Sequence, residues 1–251
     1  MKLKRYDKDF DYSYTVGIYP TIELLKAKPE HVLRVITHTK FSSVEGLKQI
    51  QSYAERFGFT YEQNDRLIDK LCPKRDCLVI GVFRKYTPEL VPTNSHVVLV
   101  NPSNSGNLGT VIRSMVAFDF HDLAVNEPAT DIFSPSTIRS SMGALFGIRF
   151  EHFADIAEYR TRYRTHRLYP FMTRGKHVLD EAAFVPPYSL IFGNESSGLP
   201  DDYEGIGESV RIAQSSNVDS LNLAITTGIV LHHLYRSRHA EVENPRHVSQ
   251  A

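Results

Sequence analysis

Hydrophobic and polar positions in the first third of the chain follow the spacings of short helices and strands. Residues 21–28 and 44–57 have helical spacing, with apolar side chains recurring about one turn apart. Residues 31–37 and 77–83 are apolar runs of strand length. The pattern predicts a small α/β unit.

Short apolar runs recur further along the chain, and helix-like segments separate them. They lie at residues 96–100, 123–125, 189–192 and 210–213. This alternation predicts a doubly wound α/β domain with a mainly parallel sheet. Sheets of this kind bind ligands beyond the carboxyl ends of their strands, so we expect the chemistry in the loops that follow these runs.

The segment between the two parts is the best candidate for a linker. Residues 86–94 contain two prolines and several polar residues. We therefore divide the chain into a small α/β domain at residues 1–87, a linker at 88–95 and a larger α/β domain at 96–251.

Composition excludes several classes of protein. The chain has 251 residues, 41% of them hydrophobic, and 29 basic residues balance 29 acidic ones, which excludes disorder as the main state and binding of polyanions through bulk charge. No apolar run has the length of a membrane span or a secretory signal, so a cytoplasmic protein is expected. Two cysteines, without a histidine motif of zinc enzymes, give no sequence support for a metal.

The loop after residues 96–100 is rich in glycine, asparagine and serine. Gly106, Gly109 and Arg113 fall on one helical stripe, so the two glycines are expected to leave a groove beside the guanidinium for a phosphate or ribose. Asn107 and Arg113 are about 240° apart on an ideal helix, so they converge only if Asn107 belongs to the loop before the helix. A polar helix start with a surface arginine explains the same residues equally simply, and the glycine spacing matches no nucleotide-binding fingerprint.

Two further segments combine small polar residues with a carboxylate or an amide. Residues 193–200 place Glu195 between two glycines, which suits recognition of a hydroxylated ligand, although a tight turn with a solvated glutamate fits as well. Further on, Asp219 or Ser220 is expected to cap an apolar helix. Asn222 then lies in the first turn, where its amide needs either backbone partners or a polar site.

A basic run occupies residues 160–177 and contains no acidic residue. Its aromatic residues, Tyr163, Tyr169 and Phe171, suggest base stacking beside phosphate contacts. A solvated helix followed by a strand is the alternative. The candidate RNA-binding residues are Arg160, Arg162, Arg164, Arg167, Arg174 and Lys176.

Three sequence blocks, taken together and in this order, resemble the motifs of the SpoU-type RNA 2′-O-ribose methyltransferases of the SPOUT superfamily. The blocks are NPSNSGNLGTVIR at residues 101–113, LIFGNESSGL at 190–199 and RIAQSSNVDSLNLA at 211–224. Residues 139–144 also resemble the family's intermediate segment. Residues 16–82 are more loosely similar to the small ribosomal-protein-like substrate-binding domain that often precedes this catalytic domain.

The resemblance implies a trefoil-knotted catalytic domain, S-adenosylmethionine as cofactor, rRNA or tRNA as substrate, and a homodimer. It implies polar active-site roles for Asn107, Arg113, Glu195, Ser220 and Asn222. It implies a cofactor pocket formed by Thr173, Phe192, Gly193, Ile212 and Leu221. Because a guanidinium remains protonated in proteins, Arg113 is assigned to electrostatic positioning, and the group that removes the hydroxyl proton is left open.

Two departures and two alternatives accompany this interpretation. Asp119 stands where the family usually has a glycine, and Ala213 stands where proline is common. Methylation of a base on the same scaffold is one alternative function. The other is an RNA-binding or assembly factor without turnover, against which the retained polar residues of all three blocks argue.

Overall fold

The computed structural model describes residues 3–72 and 77–243, and side chains as far as residue 239. It forms two compact units. The first contains Met1–Glu89, Asn104–Arg113 and Thr130–Ile148, and the second contains Leu90–Ser103, Ser114–Ala129 and Arg149–Ala251. The first unit therefore includes two segments of the predicted larger domain, Asn104–Arg113 and Thr130–Ile148.

Helices and strands alternate along the chain. The first elements are β1 (Tyr12–Val16), α1 (Ile18–Ala27), β2 (Val32–Thr37), α2 (Val44–Phe57), β3 (Thr60–Gln63), α3 (Asp65–Leu71) and β4 (Val79–Arg84). The chain continues with β5 (His96–Val100), α4 (Ser105–Ala117), β6 (Asp122–Asn126), α5 (Pro135–Ser140), β7 (Arg149–Phe153), α6 (Ile156–Arg162), β8 (Arg167–Pro170), β9 (His177–Val178), β10 (Tyr188–Phe192), β11 (Val210–Arg211) and α7 (Leu223–Glu243). The predicted α/β class is confirmed.

The first unit is built on a mixed sheet with the strand order β1-β4-β2-β3, in which β4 pairs antiparallel with β1 and β2, and β3 pairs parallel with β2. The predicted helix at 44–57 has the bounds of α2. Its ends are set locally, because the Ser43 Oγ accepts a hydrogen bond from the Gly46 N–H at 3.1 Å and Gly58 adopts a left-handed φ of 74°.

The second unit is built on five parallel strands in the order β7-β6-β5-β10-β8. Three predicted apolar runs form its strands β5, β6 and β10. The placement of residues 210–213 in this sheet was wrong, because β11 pairs with β9 in a separate two-stranded ladder. An apolar run indicates burial and does not specify the partner strand.

A buried polar chain lies near the amino ends of the central strands of this sheet. The His96 Nδ1 lies 2.8 Å from the Tyr159 hydroxyl, which lies 2.6 Å from the Ser189 Oγ, and that oxygen lies 2.9 Å from the His166 Nδ1. The Nε2 of His96 donates to the carbonyl of Val91, and the Nε2 of His166 donates to the carbonyl of Pro92, both at 2.9 Å. Burial lowers the pKa of His96 to about 4 and also lowers the pKa of His166, so both rings are neutral and hold the predicted linker.

No helix in the described part of the chain is long and apolar enough to cross a membrane. The trefoil knot stays a prediction.

Candidate cofactor pocket and active site

The loop at residues 193–200 follows β10 and closes on itself through its backbone. Asn194 and Gly198 exchange two backbone hydrogen bonds, of 3.2 and 2.9 Å. A Cβ at Gly193 would lie 2.2 Å from the carbonyl carbon of Gly198, so a side chain does not fit there. Gly198 has a φ of 68°, which favours glycine. The two glycines are therefore required by the close approach of the backbone and by the turn.

Two side chains tie this loop to the loop after β5. The Asn194 amide donates to the carbonyl of Asn101 at 2.7 Å. The Glu195 carboxylate accepts from both the backbone N–H and the hydroxyl of Ser103, at 3.1 and 2.9 Å. The carboxylate of Glu195 thus has a defined position at the carboxyl ends of β5 and β10.

A cavity of about 310 Å³ opens beside this loop. All five residues predicted for the cofactor line it, together with two predicted active-site residues: Thr173, Phe192, Gly193, Ile212, Leu221, Glu195 and Ser220. The volume lies near the lower end of the range of small-molecule sites, about 300–1,000 Å³. A site formed by the second unit alone therefore has the size for a small cofactor.

The wall of the cavity combines aromatic surface with polar groups. Phe171 and Phe192 stack with their ring centroids 4.8 Å apart at the ends of β8 and β10. The hydroxyls of Thr173 and Ser220 and the amide of Gln214 supply donors and acceptors. Such a lining can hold a heterocycle through apolar contact and a ribose through hydrogen bonds, so these residues fit a nucleoside-containing cofactor.

Sequence reasoning missed several of the residues that line this cavity. Phe171 was assigned to base stacking and Arg174 to RNA, whereas Gln214 received no role. The Gln214 amide lies 3.4 Å from the carbonyl of Val218, within the segment that precedes α7. Gln214 lies within the third sequence block, and this position could have identified it as a residue of the site.

Asn222 is the N-cap of α7 and does not lie in the first turn. Its Oδ1 accepts from the N–H of Ala224 at 2.8 Å and from that of Ile225 at 3.3 Å. The prediction that Asp219 or Ser220 caps this helix was wrong, because α7 begins later, at Leu223. The amide oxygen of Asn222 thus finds backbone partners.

The predicted arrangement of α4 needs two corrections. Asn104 caps the helix, accepting from the N–H groups of Gly106 at 2.8 Å and Asn107 at 3.0 Å, so Asn107 lies in the first turn and does not converge with Arg113. The expected groove at Gly109 is absent, since its Cβ would lie 2.5 Å from a backbone oxygen of α5. Glycine at position 109 allows α4 to pack closely against α5.

Arg113 itself is exposed. Within the described residues its side chain has no hydrogen bond or ion pair, so its guanidinium donors are available to a ligand. Arg113 and Asn107 belong to the first unit. Their active-site roles stay predictions.

The six residues of the basic run fall into two groups. Three are paired with carboxylates: Arg162 with Glu151 at 2.6 Å, Arg174 with Asp201 at 3.3 Å and Lys176 with Glu204 at 3.8 Å. The other three, Arg160, Arg164 and Arg167, line a second and larger cavity. The expectation that the aromatic residues of the run stack on bases was wrong, because Tyr163, Tyr169 and Phe171 are buried.

Comparison with known proteins defines the class. The chain belongs to the SpoU rRNA methylase family, whose model matches residues 94–232, more than half of the chain. It is 28% identical over 150 residues to the 23S rRNA (uridine(2479)-2′-O)-methyltransferase of Streptomyces viridochromogenes, covering 57% of this chain and 52% of that protein. It is 24% identical over 245 residues to the 23S rRNA (guanosine-2′-O-)-methyltransferase RlmB of Acinetobacter baylyi, covering 90% and 97%. The chain thus spans about half the length of the Streptomyces relative and nearly all of the Acinetobacter one.

Crystal structures share the fold. An AdoMet-bound rRNA methyltransferase from Sinorhizobium meliloti superposes with a TM-score of 0.75 at 24% identity, covering 91% of this chain and 88% of that one. The SpoU methyltransferase AviRb from S. viridochromogenes, in complex with AdoMet, superposes with a TM-score of 0.78 at 19% identity, covering 92% of each chain. The predicted fold class and family are confirmed.

Proposed function

We propose that this protein is an S-adenosylmethionine-dependent RNA methyltransferase that methylates a ribose 2′-hydroxyl of rRNA or tRNA. The observation that carries the proposal is the cavity beside residues 193–200, where all five residues expected to bind the cofactor meet Glu195 and Ser220. The names of its relatives, which specify 2′-O-methylation of 23S rRNA, give further support. A cytoplasmic location belongs to this proposal, because its substrates are rRNA or tRNA.

The cavity residues hold the cofactor mainly through backbone and apolar surface. Gly193, Ile212 and Leu221 line the cavity and would supply backbone and aliphatic surface, while Phe192 and Thr173 would add an aromatic face and a hydroxyl. When bound, S-adenosylmethionine supplies an electrophilic methyl group on a sulfonium. No charged side chain is needed to hold its adenosine part.

The polar residues orient the nucleophile. Glu195, fixed by Ser103, presents a carboxylate to hydroxyl groups of the ligands, and Ser220 presents a hydroxyl. Arg113 engages the ribose or its phosphate as a permanently charged, planar donor. Holding both reactants at contact distance lowers the barrier, because the entropy of bringing them together is lost on binding.

Residues 1–87 are proposed to select the RNA without taking part in the chemistry, because all three sequence blocks lie beyond the linker.

A homodimer is part of the proposal. Ile225 and Ile229 lie one turn apart on α7 and are 56% and 39% exposed. Exposed isoleucines on one stripe are suited to burial against a second copy. Sedimentation should show a dimer at micromolar concentration, and Ile225→Asp/Ile229→Asp should shift it to the mass of one chain; an unchanged dimer would remove this stripe from the interface.

The proposal is tested by mapping 2′-O-methyl marks across total RNA from strains with and without the gene. Loss of one or a few marks in rRNA or tRNA, restored by the gene, is the expected result. A complete set of 2′-O-methyl marks together with a lost base methylation would contradict ribose methylation.

A further inference from the structure

The three unpaired arginines of the basic run lie together on the surface. Arg160, Arg164 and Arg167 are exposed. Within the described part of the chain none forms an ion pair, and the one side-chain bond among them runs from the Arg164 Nε to the carbonyl of Thr161, at 3.0 Å. Three positive charges are therefore left without a carboxylate partner.

These arginines line an open groove of about 790 Å³. Leu168 and Gly207 also line the groove, and Glu208 is the single carboxylate among its lining residues. The groove therefore keeps a positive balance of charge. In contrast, the carboxylate of Glu151 is nearly buried, at 7% exposure, and Arg162 compensates that charge instead of facing a ligand.

The groove and the cofactor cavity lie at opposite ends of one strand. Arg167 is the first residue of β8, the edge strand of the five-stranded sheet, and Phe171 in the cavity wall directly follows its last residue. Four residues of strand span about 13 Å. The groove is therefore separated from the wall of the cavity by about the length of this strand.

We propose that this groove binds the phosphates of the substrate RNA outside the methylated nucleotide. The inference rests on the proposed function, which supplies the polyanion, and it assigns phosphate contact to three of the six basic residues. Guanidinium groups match phosphate oxygens through paired N–H donors. Because the aromatic residues of the run are buried, the contact is expected to be independent of base sequence.

The test compares the wild type with Arg160→Gln/Arg164→Gln/Arg167→Gln and with the matched charge-preserving variant that carries Lys at the same positions. Binding of a fluorescent, mixed-sequence single-stranded RNA is measured over a range of salt concentrations without cofactor. The logarithm of the binding constant falls linearly with the logarithm of the salt concentration. The magnitude of this slope should be smaller by about 2 in the Gln variant, since each lost phosphate contact accounts for about 0.7. The Lys variant should keep the slope, and Arg164→Gln alone should lower it by about 0.7.

Methyl transfer to unmodified RNA gives the second readout. The Gln variant should raise KM for RNA several-fold while kcat at saturating RNA and binding of S-adenosylmethionine stay unchanged. An unchanged salt slope and KM would overturn the groove and leave the proposed function intact if the wild type still methylates ribose. A reduced slope in a protein that methylates no ribose would support the groove and overturn the proposed function. Equal competition by polyglutamate would overturn RNA as the occupant.

Discussion

The carboxylate of Glu195 accepts two hydrogen bonds from Ser103, one from its backbone N–H and one from its hydroxyl. These residues are 92 positions apart in the chain and belong to two of the three sequence blocks. The bonds orient the acidic side chain that lines the cavity proposed to bind the cofactor.

Ser103→Ala removes one of these bonds and leaves the other. We expect kcat/KM for methylation to fall up to about tenfold, or about 1.4 kcal/mol, because Glu195 loses part of its orientation. Ser103→Thr keeps the hydroxyl and should retain most of the activity. An alanine variant with wild-type kcat/KM would show that this contact does not position the carboxylate.

Arg113→Ala should lower kcat/KM at least roughly 100-fold, equivalent to about 2.7 kcal/mol of lost transition-state stabilisation. The free energy of unfolding should change by less than about 1 kcal/mol, because the side chain is exposed and makes no ion pair within the described residues. Arg113→Lys should restore activity only in part, since an ammonium lacks the planar fork. Near-normal methylation by the alanine variant would reduce Arg113 to a surface residue.

Gly193→Ala tests the loop that borders the cavity. The added methyl would lie 2.2 Å from the backbone of Gly198, so the loop must move, and we expect calorimetry to show cofactor affinity lowered at least about tenfold. Gly205→Ala is the control, because nothing lies within 4 Å of its Cβ position. Equal affinity in the two variants would contradict this role for the loop.

Acid should destabilise the fold through the buried histidines. The pKa of His96 falls from 6.5 to about 4 on burial, so the unfolded chain binds more protons than the folded chain between these values. The contribution of neutral His96 to the free energy of unfolding is therefore fully present above about pH 6.5 and is lost as the pH falls through about 4. This loss amounts to up to about 3 kcal/mol. The nearby carboxylate of Asp122 raises the pKa of His96, whereas the guanidinium of Arg149 lowers it.

Urea unfolding at a series of pH values measures this effect. His96→Asn should unfold more easily at neutral pH but show a flatter dependence on pH. If the wild type and His96→Asn lose stability in parallel, the titrating group lies elsewhere.

Elements with local end signals could be predicted from the sequence. The bounds of α2 follow from a serine cap and a left-handed glycine. Asp119 has a left-handed φ of 57°, a conformation that glycine adopts with less strain, at the position where the resemblance led us to expect glycine.

Features that depend on contacts distant in sequence could not be predicted. The sequence of β8 begins with a charged residue, and β8 is recognised as a strand by its pairing with β10. A glycine at position 109 is compatible with a ligand groove and with close helix packing. The position of α5, whose backbone lies 2.5 Å from the Cβ position of Gly109, shows that it serves helix packing. For the same reason a cut at 88–95 does not separate the units, since Asn104–Arg113 and Thr130–Ile148 belong to the first.

The central claim is methylation of the ribose. The most direct test transfers labelled methyl from S-adenosylmethionine to unmodified rRNA and tRNA, followed by complete alkaline hydrolysis. A 2′-O-methyl group blocks cleavage of the adjacent phosphodiester, so the account predicts label in alkali-resistant dinucleotides. Label confined to mononucleotides would identify a base methyltransferase, and binding of both ligands without any transfer would identify a factor without turnover; either result contradicts the account.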